Sequence, residues 1–281
     1  MKSARTVETF PLSRIGTFDV GVIGGKKHQI TGLLEVDVTT ARARLRAMRR
    51  QGTAASFFSC FVKTVAHSIG EVPQVHGMLR GRRRRVIFDD VDIAVMVERM
   101  VDGTPVPLPL VIRRCNEKSV EEIELEIRSA ADQPVGDAGD YQLGHRRSAI
   151  VTNIYYRLPR FLRVLLMRGA LRRPTARKAA MGTVIVTSVA SGLRFPGWIL
   201  PKTMHNLACG LGSVVRKPRV IGQEIAARDV LHLTVVLDHD VVDGAPAARF
   251  ASRLVQNLEA AVVLPENDAE STPAGTADSD R

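Results

Sequence analysis

Cysteine, aromatic residues and long apolar runs are all scarce in this sequence, and each scarcity excludes a class of protein. The three cysteines, Cys60, Cys115 and Cys209, lie too far apart for a disulfide framework or a metal-binding spacing. We therefore expect buried thiols in a reducing cytoplasm and no metal site. No run approaches the roughly 18 apolar residues of a membrane span, and residues 1–16 lack the apolar stretch of a secretory signal. These absences predict a soluble, cytoplasmic protein.

Positive charge, by contrast, is in excess. The 281 residues include 40 Lys and Arg against 29 Asp and Glu, a net charge of +11, which predicts affinity for anions. Nucleic acid, an acidic membrane, an acidic partner and a phosphorylated cofactor all remain open on charge alone. Aromatic residues make up only 5% of the chain, so the basic run 80–85 lacks the stacking platform of a nucleic-acid reader. We interpret that run as an exposed hairpin tip, and nucleic-acid binding as the weakest alternative.

Apolar periodicity predicts one α/β domain over residues 1–263, followed by an acidic, disordered tail, 264–281. Strands and helices do not alternate strictly, which favours a mixed sheet. Thr39 or Thr40 is expected to cap a helix that Gly52 stops, and Ser119 with Glu122 forms a capping box. Residues 133–150 are expected to be a loop. Strands are predicted at 31–40, 78–80, 86–98, 103–115, 182–190, 206–215 and 230–237, and helices at 40–52, 57–72, 119–132 and 244–262.

The segment 154–181 is apolar on one side and strongly cationic, with breaks expected at Pro159, Gly169 and Pro174. Three interpretations stay open: it binds coenzyme A phosphates or an anionic acceptor, it lies on an acidic membrane surface, or it is a solvated face whose apolar side packs on a neighbour. Its basic residues are Arg157, Arg160, Arg163, Arg168, Arg172, Arg173, Arg177 and Lys178.

The stretch LTVVLDHDVVDGAPAARF, residues 231–248, places a cluster of ionisable groups directly after a β-rich run. The strand delivers His239 to one edge of the sheet, a common location of functional groups in α/β proteins. Asp243 falls where a helix begins, and a carboxylate there is a good N-cap. Taken singly, His239 is interpreted as a solvated turn histidine and Asp243 as a cap.

Taken together, the residues indicate chemistry. HDVVDG, residues 239–244, resembles the His-x-x-x-Asp-Gly active-site motif of the chloramphenicol acetyltransferase and dihydrolipoamide acyltransferase superfamily. It is most similar to the catalytic domain of the 2-oxoacid dehydrogenase acyltransferases, whose signature is Asp-His-Arg-x-x-Asp-Gly-Ala. Here Asp240 replaces the arginine. The resemblance covers roughly residues 10–262 and includes the segments 11–15, 33–39, 91–130 and 182–190.

The resemblance implies a two-layer α/β sandwich that works as a homotrimer, with each active site in a channel between neighbouring subunits. An acyl group would pass between coenzyme A and a thiol or hydroxyl acceptor. His239 would be the general base, since histidine has a pKa near neutrality. A hydroxyl on the Gly-Thr-x-x-x-Ser strand would stabilise the oxyanion, and counting from Gly182 places Thr187 there, with Ser188 as the alternative.

The same resemblance implies supporting roles for further residues. Asp243 would orient the site by pairing with an arginine, for which Arg14 is the nearest candidate. Ser188 and Gly244 would contact coenzyme A. His205 either lines the channel or is structural, and we favour a structural histidine.

The sequence also departs from the family. Asp240 adds negative charge beside His239, which favours the protonated imidazole unless an arginine neutralises it. We identify no lipoyl or subunit-binding domain, and expect a separate lipoylated protein, a diffusible acceptor or a loss of catalysis. The alternative function is therefore a non-catalytic assembly subunit of an acyltransferase or dehydrogenase complex. A larger assembly of trimers is a further alternative to a single homotrimer.

Overall fold

The computed structural model describes residues 13–81, 83–101, 104–132, 154–190, 192–193 and 195–266. The strands are β1 (Gln29–Asp37), β2 (Met78–Arg80), β3 (Arg84–Val86), β4 (Ile93–Val101), β5 (Thr104–Ile112), β6 (Val184–Ser188), β7 (Leu207–Ile221) and β8 (Glu224–Asp238). The helices are α1 (Ser13–Gly24), α2 (Thr39–Arg50), α3 (Phe57–Glu71), α4 (Val120–Asp132), α5 (Arg160–Leu171), α6 (Pro174–Met181) and α7 (Gly244–Glu259).

Six strands form one sheet in the order β1-β8-β7-β6-β4-β5, and β2 pairs with β3 in a separate hairpin. Strand β6 runs parallel to both β4 and β7, whereas the other neighbouring pairs are antiparallel. The prediction of a mixed sheet is therefore confirmed. Strand β5, which carries three prolines, lies at one edge, where missing N–H donors are tolerated.

The core lies between the sheet and the helices α3, α4 and α7. The helical periodicity of residues 57–72 predicts an apolar stripe on α3, and Phe61 and Ile69 in that stripe are fully buried. The periodicity of residues 244–262 predicts a similar stripe on α7, where Phe250 and Leu254 are fully buried as well. Burial of each of these four side chains contributes roughly 1.5–3 kcal/mol to stability. Phe250 and Leu254 fix α7, and with it the turn that precedes α7, against the sheet.

Helix starts were predicted with mixed success. The capping box of α4 is confirmed: Ser119 N donates to Glu122 Oε2 at 2.7 Å, and Glu122 N donates to Ser119 Oγ at 3.1 Å. The predicted cap of α2 is wrong, because Val38 occupies the N-cap position and Thr39 already lies inside the helix, its hydroxyl donating to Asp37 Oδ1 at 2.6 Å.

Two elements differ from the expectations for physical reasons. Helix α1 was missed because Gly16, Gly21 and Gly24 lower its helix propensity. Strands β7 and β8 extend much further than expected and meet in a tight turn at Gly222, whose φ is 63°. The outer part of this hairpin is exposed and rich in charged residues, so it lacks the apolar pattern of a core strand.

The basic segment forms two helices, α5 and α6. Pro159 occupies the N-cap position of α5 and Pro174 is the first residue of α6, as expected, but Gly169 does not interrupt α5. The predictions for residues 133–150 and for the tail beyond residue 266 lie outside the described residues. No helix in the described ranges has both the length and the apolar character needed to cross a membrane.

Candidate active site

The turn between β8 and α7 presents the predicted histidine. Asp238, the last residue of β8, is buried, and its carbonyl accepts hydrogen bonds from Val241 N and Val242 N at 3.0 Å each. These bonds close a tight turn that leaves His239 and Asp240 exposed. The His239 imidazole is therefore available to a ligand.

A buried ionic cluster lies beneath this turn. Lys27 Nζ lies 2.5 Å from Asp238 Oδ2 and also donates to Asn206 Oδ1 at 2.7 Å. Arg177 Nη2 donates to the same amide oxygen at 2.9 Å, and Asn206 Nδ2 donates to the carbonyl of Gly77 at 2.6 Å. The cluster thus connects four separate segments of the chain to the residue that precedes His239.

Positive charge exceeds negative charge in this cluster. Burial lowers the pKa of Lys27, the charge of Arg177 lowers it further, and the hydrogen bond to Asp238 acts in the opposite direction. Burial also lowers the pKa of Arg177, whose Nε is buried without a hydrogen-bond partner among the described residues. The negative charge of Asp238 therefore stabilises the charged forms of two desolvated cations, Lys27 and Arg177. Sequence reasoning missed Lys27, Arg177 and Asn206.

Asp240 pairs with a histidine rather than with an arginine. His28 Nδ1 lies 2.9 Å from Asp240 Oδ1, and the backbone N–H of His239 donates to the His28 carbonyl at 2.7 Å. The hydrogen bond and the charge of Asp240 raise the pKa of His28. Among the described residues, Asp240 thus shares the negative charge beside His239 with an exposed imidazole and not with an arginine.

Asp243 lies at the N-cap of α7 with extended backbone (φ −75°, ψ 166°), but its side chain makes no capping hydrogen bond. The side chain is exposed and forms no ion pair with the described residues. The side chain of Arg14 lies outside the described residues, so their pairing stays a prediction. The position of Asp243 was predicted correctly, whereas the cap bond was not.

Thr187 is placed by the register of β6. Gly182, just before β6, has a φ of 73°, and a Cβ there would meet the Asp92 carbonyl oxygen at 2.7 Å, so glycine is required. Thr183 is buried and its Oγ1 donates to the same carbonyl at 3.1 Å. From this anchor, burial alternates: Val184 and Val186 face the core, and Thr187 faces the opposite side of the sheet.

One protomer does not bring Thr187 and His239 together. Thr187 pairs with Gly210, and Gly210 pairs with Thr234, so Thr187 is level with a residue four positions before the end of β8. That interval is roughly 13 Å along the strand, and the two intervening strand spacings add roughly 10 Å across the sheet. Ser188, next to Thr187, is exposed, and its Oγ accepts from Ala190 N at 3.3 Å.

The remaining candidate groups are structural. His205 is buried and bonds through its two ring nitrogens to Thr203 Oγ1 at 3.0 Å and to the Met181 carbonyl at 2.8 Å. Burial lowers the pKa of His205 to about 3, which keeps it neutral. All three cysteines are buried, and burial raises the pKa of each thiol to about 12. No cluster of metal-ligating side chains occurs within the described ranges.

Strand β8 of the mixed sheet thus delivers the His-x-x-x-Asp-Gly sequence to the start of α7. The family model described as 2-oxoacid dehydrogenases acyltransferase (catalytic domain) matches residues 27–136 and 192–264, more than half of the chain. The chain therefore belongs to this family. Residues 137–191, which include α5, α6 and β6, lie outside the match.

Curated relatives agree with this assignment at low identity. The chain is 26% identical over 271 residues to the lipoamide acyltransferase component of the branched-chain alpha-keto acid dehydrogenase complex of Bacillus subtilis, covering 89% of this chain and 54% of that protein. It is 23% identical over 242 residues to the dihydrolipoyllysine-residue acetyltransferase component of the pyruvate dehydrogenase complex of Mycobacterium bovis, covering 82% and 37% respectively. The chain thus spans about half or less of these relatives.

Solved structures show the same fold. The cubic core of the pyruvate dehydrogenase multienzyme complex matches with a TM-score of 0.65 at 18% identity, covering 93% of this chain and 96% of that chain. A probable dihydrolipoamide acetyltransferase from Listeria monocytogenes matches with a TM-score of 0.63 at 19% identity, covering 93% and 97%. The predicted α/β fold with a mixed sheet is thereby confirmed.

Proposed function

We propose that this protein transfers an acyl group between coenzyme A and a thiol or hydroxyl acceptor, with His239 as the general base. The observation that carries the proposal is the turn between β8 and α7, where His239 is exposed while the preceding Asp238 is buried and bonded to Lys27. A rigid support under an accessible imidazole is the arrangement that general base catalysis requires. Family membership supports the same reaction class.

In this reaction the His239 imidazole takes the proton of the acceptor thiol or hydroxyl as its sulfur or oxygen attacks the thioester carbonyl. The tetrahedral intermediate collapses, the carbon–sulfur bond to coenzyme A breaks, and the imidazolium returns the proton to the departing thiolate. The products are the acylated acceptor and free coenzyme A. The Thr187 hydroxyl would donate a hydrogen bond to the oxyanion, a contribution of about 10²–10³ in rate.

The separation within one protomer supports a site shared between copies. A general base and an oxyanion donor must both lie within hydrogen-bond reach of the reacting atoms, which Thr187 and His239 of the same chain do not. We infer a homotrimer in which His239 of one copy meets Thr187 of the next. Thr187 faces away from the core, where a neighbouring chain has access.

Coenzyme A would contact this site as a substrate. Ser188 and Gly244 are both exposed, and open space surrounds the position that a Gly244 Cβ would occupy. Both residues are therefore accessible to coenzyme A. Asp243 would orient the site from the start of α7.

The test is an acyl-transfer assay of the purified full chain with acetyl-coenzyme A and dihydrolipoamide, which follows release of free coenzyme A. We expect release with the wild type and a large loss with His239→Ala. A calorimetric titration with coenzyme A accompanies the assay. Absence of both release and binding would reject the proposal and favour the assembly subunit, whereas binding without release would direct the search to another acceptor.

A further inference from the structure

Helix α5 buries a charged side chain, Arg163, beside the apolar Val164, and exposes large apolar side chains. Its buried face contains Arg163, only 8% exposed and bonded through Nε and Nη2 to the Asp19 carboxylate at 2.9 and 3.2 Å. Its outer face presents Phe161, Leu165 and Leu166, which are 73%, 62% and 51% exposed. Three large apolar side chains on one exposed helix face mark a surface that contacts something other than water.

The surroundings of this outer face are cationic. The segment 154–181 contains no acidic residue, and its Arg157, Arg160, Arg172 and Arg173 are exposed. None of these four side chains forms an ion pair or hydrogen bond within the described part of the chain. The inward-facing cations of the segment, Arg163, Arg177 and Lys178, do have partners there. Among the described residues, the positive charge of these four arginines is therefore not paired with a carboxylate.

The positive charge around the outer face of α5 indicates which kind of surface binds there. A second copy that presented the same face would bring like charges together, and any other face that it presented would belong to a chain whose net charge is already +11. An anionic lipid surface instead neutralises the arginines while its acyl region takes up the phenylalanine and leucines. A helix with cationic flanks and exposed Phe and Leu has the composition of an interfacial anchor.

We propose that the outer face of α5, formed by Phe161, Leu165 and Leu166 with the flanking exposed arginines, binds the surface of an anionic lipid bilayer. The protein would rest on the membrane through this helix and not cross it. The segment lies outside the residues matched by the family model, as does strand β6. The inference does not depend on the proposed catalytic residues.

The experiment measures sedimentation of the purified full chain with vesicles of phosphatidylcholine alone or of equal parts phosphatidylcholine and phosphatidylglycerol. We expect binding only to the anionic vesicles, with affinity that falls as salt rises. The double variant Phe161→Ser/Leu165→Ser should bind at least roughly tenfold more weakly. The matched control is Val220→Ser/Ile225→Ser at the β7–β8 turn, where the side chains are equally exposed, at 71% and 76%, and it should bind like the wild type.

A second pair of variants tests the charge. Arg160→Gln/Arg172→Gln should weaken binding roughly fivefold per arginine, whereas Arg83→Gln/Arg84→Gln in the β2–β3 turn should not. Failure of the wild type to prefer anionic vesicles, or equal binding by all variants, would overturn the proposal. So would a change in oligomeric state of Phe161→Ser/Leu165→Ser without lipid, since that result assigns the face to a second copy. Acyl transfer in lipid-free buffer should be unchanged by all four double variants.

Discussion

The two halves of the candidate site are positioned in different ways. Thr187 lies within β6, where ladder hydrogen bonds to β7 on one side and the anchor at Gly182 set its place. His239 lies in a turn, where no ladder exists, and the buried cluster of Lys27, Asp238 and Asn206 holds the adjoining backbone instead. The two candidate residues are thus placed by different contacts: ladder pairing places Thr187, whereas turn hydrogen bonds and a buried polar cluster place His239.

Removal of the His239 imidazole should give the largest effect. His239→Ala is expected to lower the rate of coenzyme A release by about 10²–10⁴, and its exposed side chain predicts little change in the free energy of unfolding. The control is His67→Ala, since His67 is also exposed but lies on α3. If His239→Ala and His67→Ala were equally active, His239 would not be the general base.

Disruption of the buried cluster should destabilise the fold. Asp238→Asn leaves Lys27 and Arg177 without their carboxylate, and an uncompensated buried charge costs about 3–5 kcal/mol. Urea denaturation checks this value. The control is Glu117→Gln, whose exposed pair with Arg114 should contribute no more than about 1 kcal/mol. Equal losses in the two variants would contradict the supporting role of the cluster.

Thr187→Val removes the hydroxyl and keeps the β-branched shape. The rate should fall by about 10²–10³, while the unfolding midpoint stays close to that of the wild type. Ser188→Ala serves as the comparison, because it removes the neighbouring hydroxyl. If Ser188→Ala shows the larger loss of rate, the oxyanion donor is Ser188 and the register from Gly182 is displaced by one residue.

The exposed pair of His28 and Asp240 should give the smallest effect. Because Asp240 raises the pKa of His28 in the folded state, this pair stabilises the fold below the unfolded pKa of the histidine. The contribution disappears as pH rises through the folded pKa. A proton NMR titration of the His28 ring should show a pKa above its usual value of 6.5, and Asp240→Asn should return it. An unshifted titration in the wild type would mean that the two side chains do not pair.

The sequence predicted the elements that carry local signals. The capping box of Ser119, the apolar stripes of α3 and α7, and the His-x-x-x-Asp-Gly turn depend on residues close together in the chain. The cluster of Lys27, Arg177 and Asn206 joins residues far apart, and each of them in isolation looks like an ordinary polar side chain. Only the packed topology reveals that Lys27 and Arg177 meet at the amide oxygen of Asn206 and that Lys27 also pairs with Asp238.

The exposure of the large apolar side chains on α5 was hidden for a related reason. Periodicity shows that apolar residues share a face, but it does not show which face is turned inward. Burial of Arg163 becomes intelligible only when Asp19, on the unpredicted helix α1, supplies its partner. The three interpretations of segment 154–181 could therefore not be separated from sequence alone.

The most direct test is complementation between two inactive variants. His239→Ala and Thr187→Val carry defects in different halves of the site, and co-expression with two different affinity tags allows hybrid assemblies to be isolated. If each site joins two copies, one of the three sites in every isolated hybrid trimer combines an intact His239 with an intact Thr187, and coenzyme A release returns to about a third of the wild-type rate. Hybrids that remain as inactive as the separate variants would contradict a site shared between His239 and Thr187 of neighbouring copies.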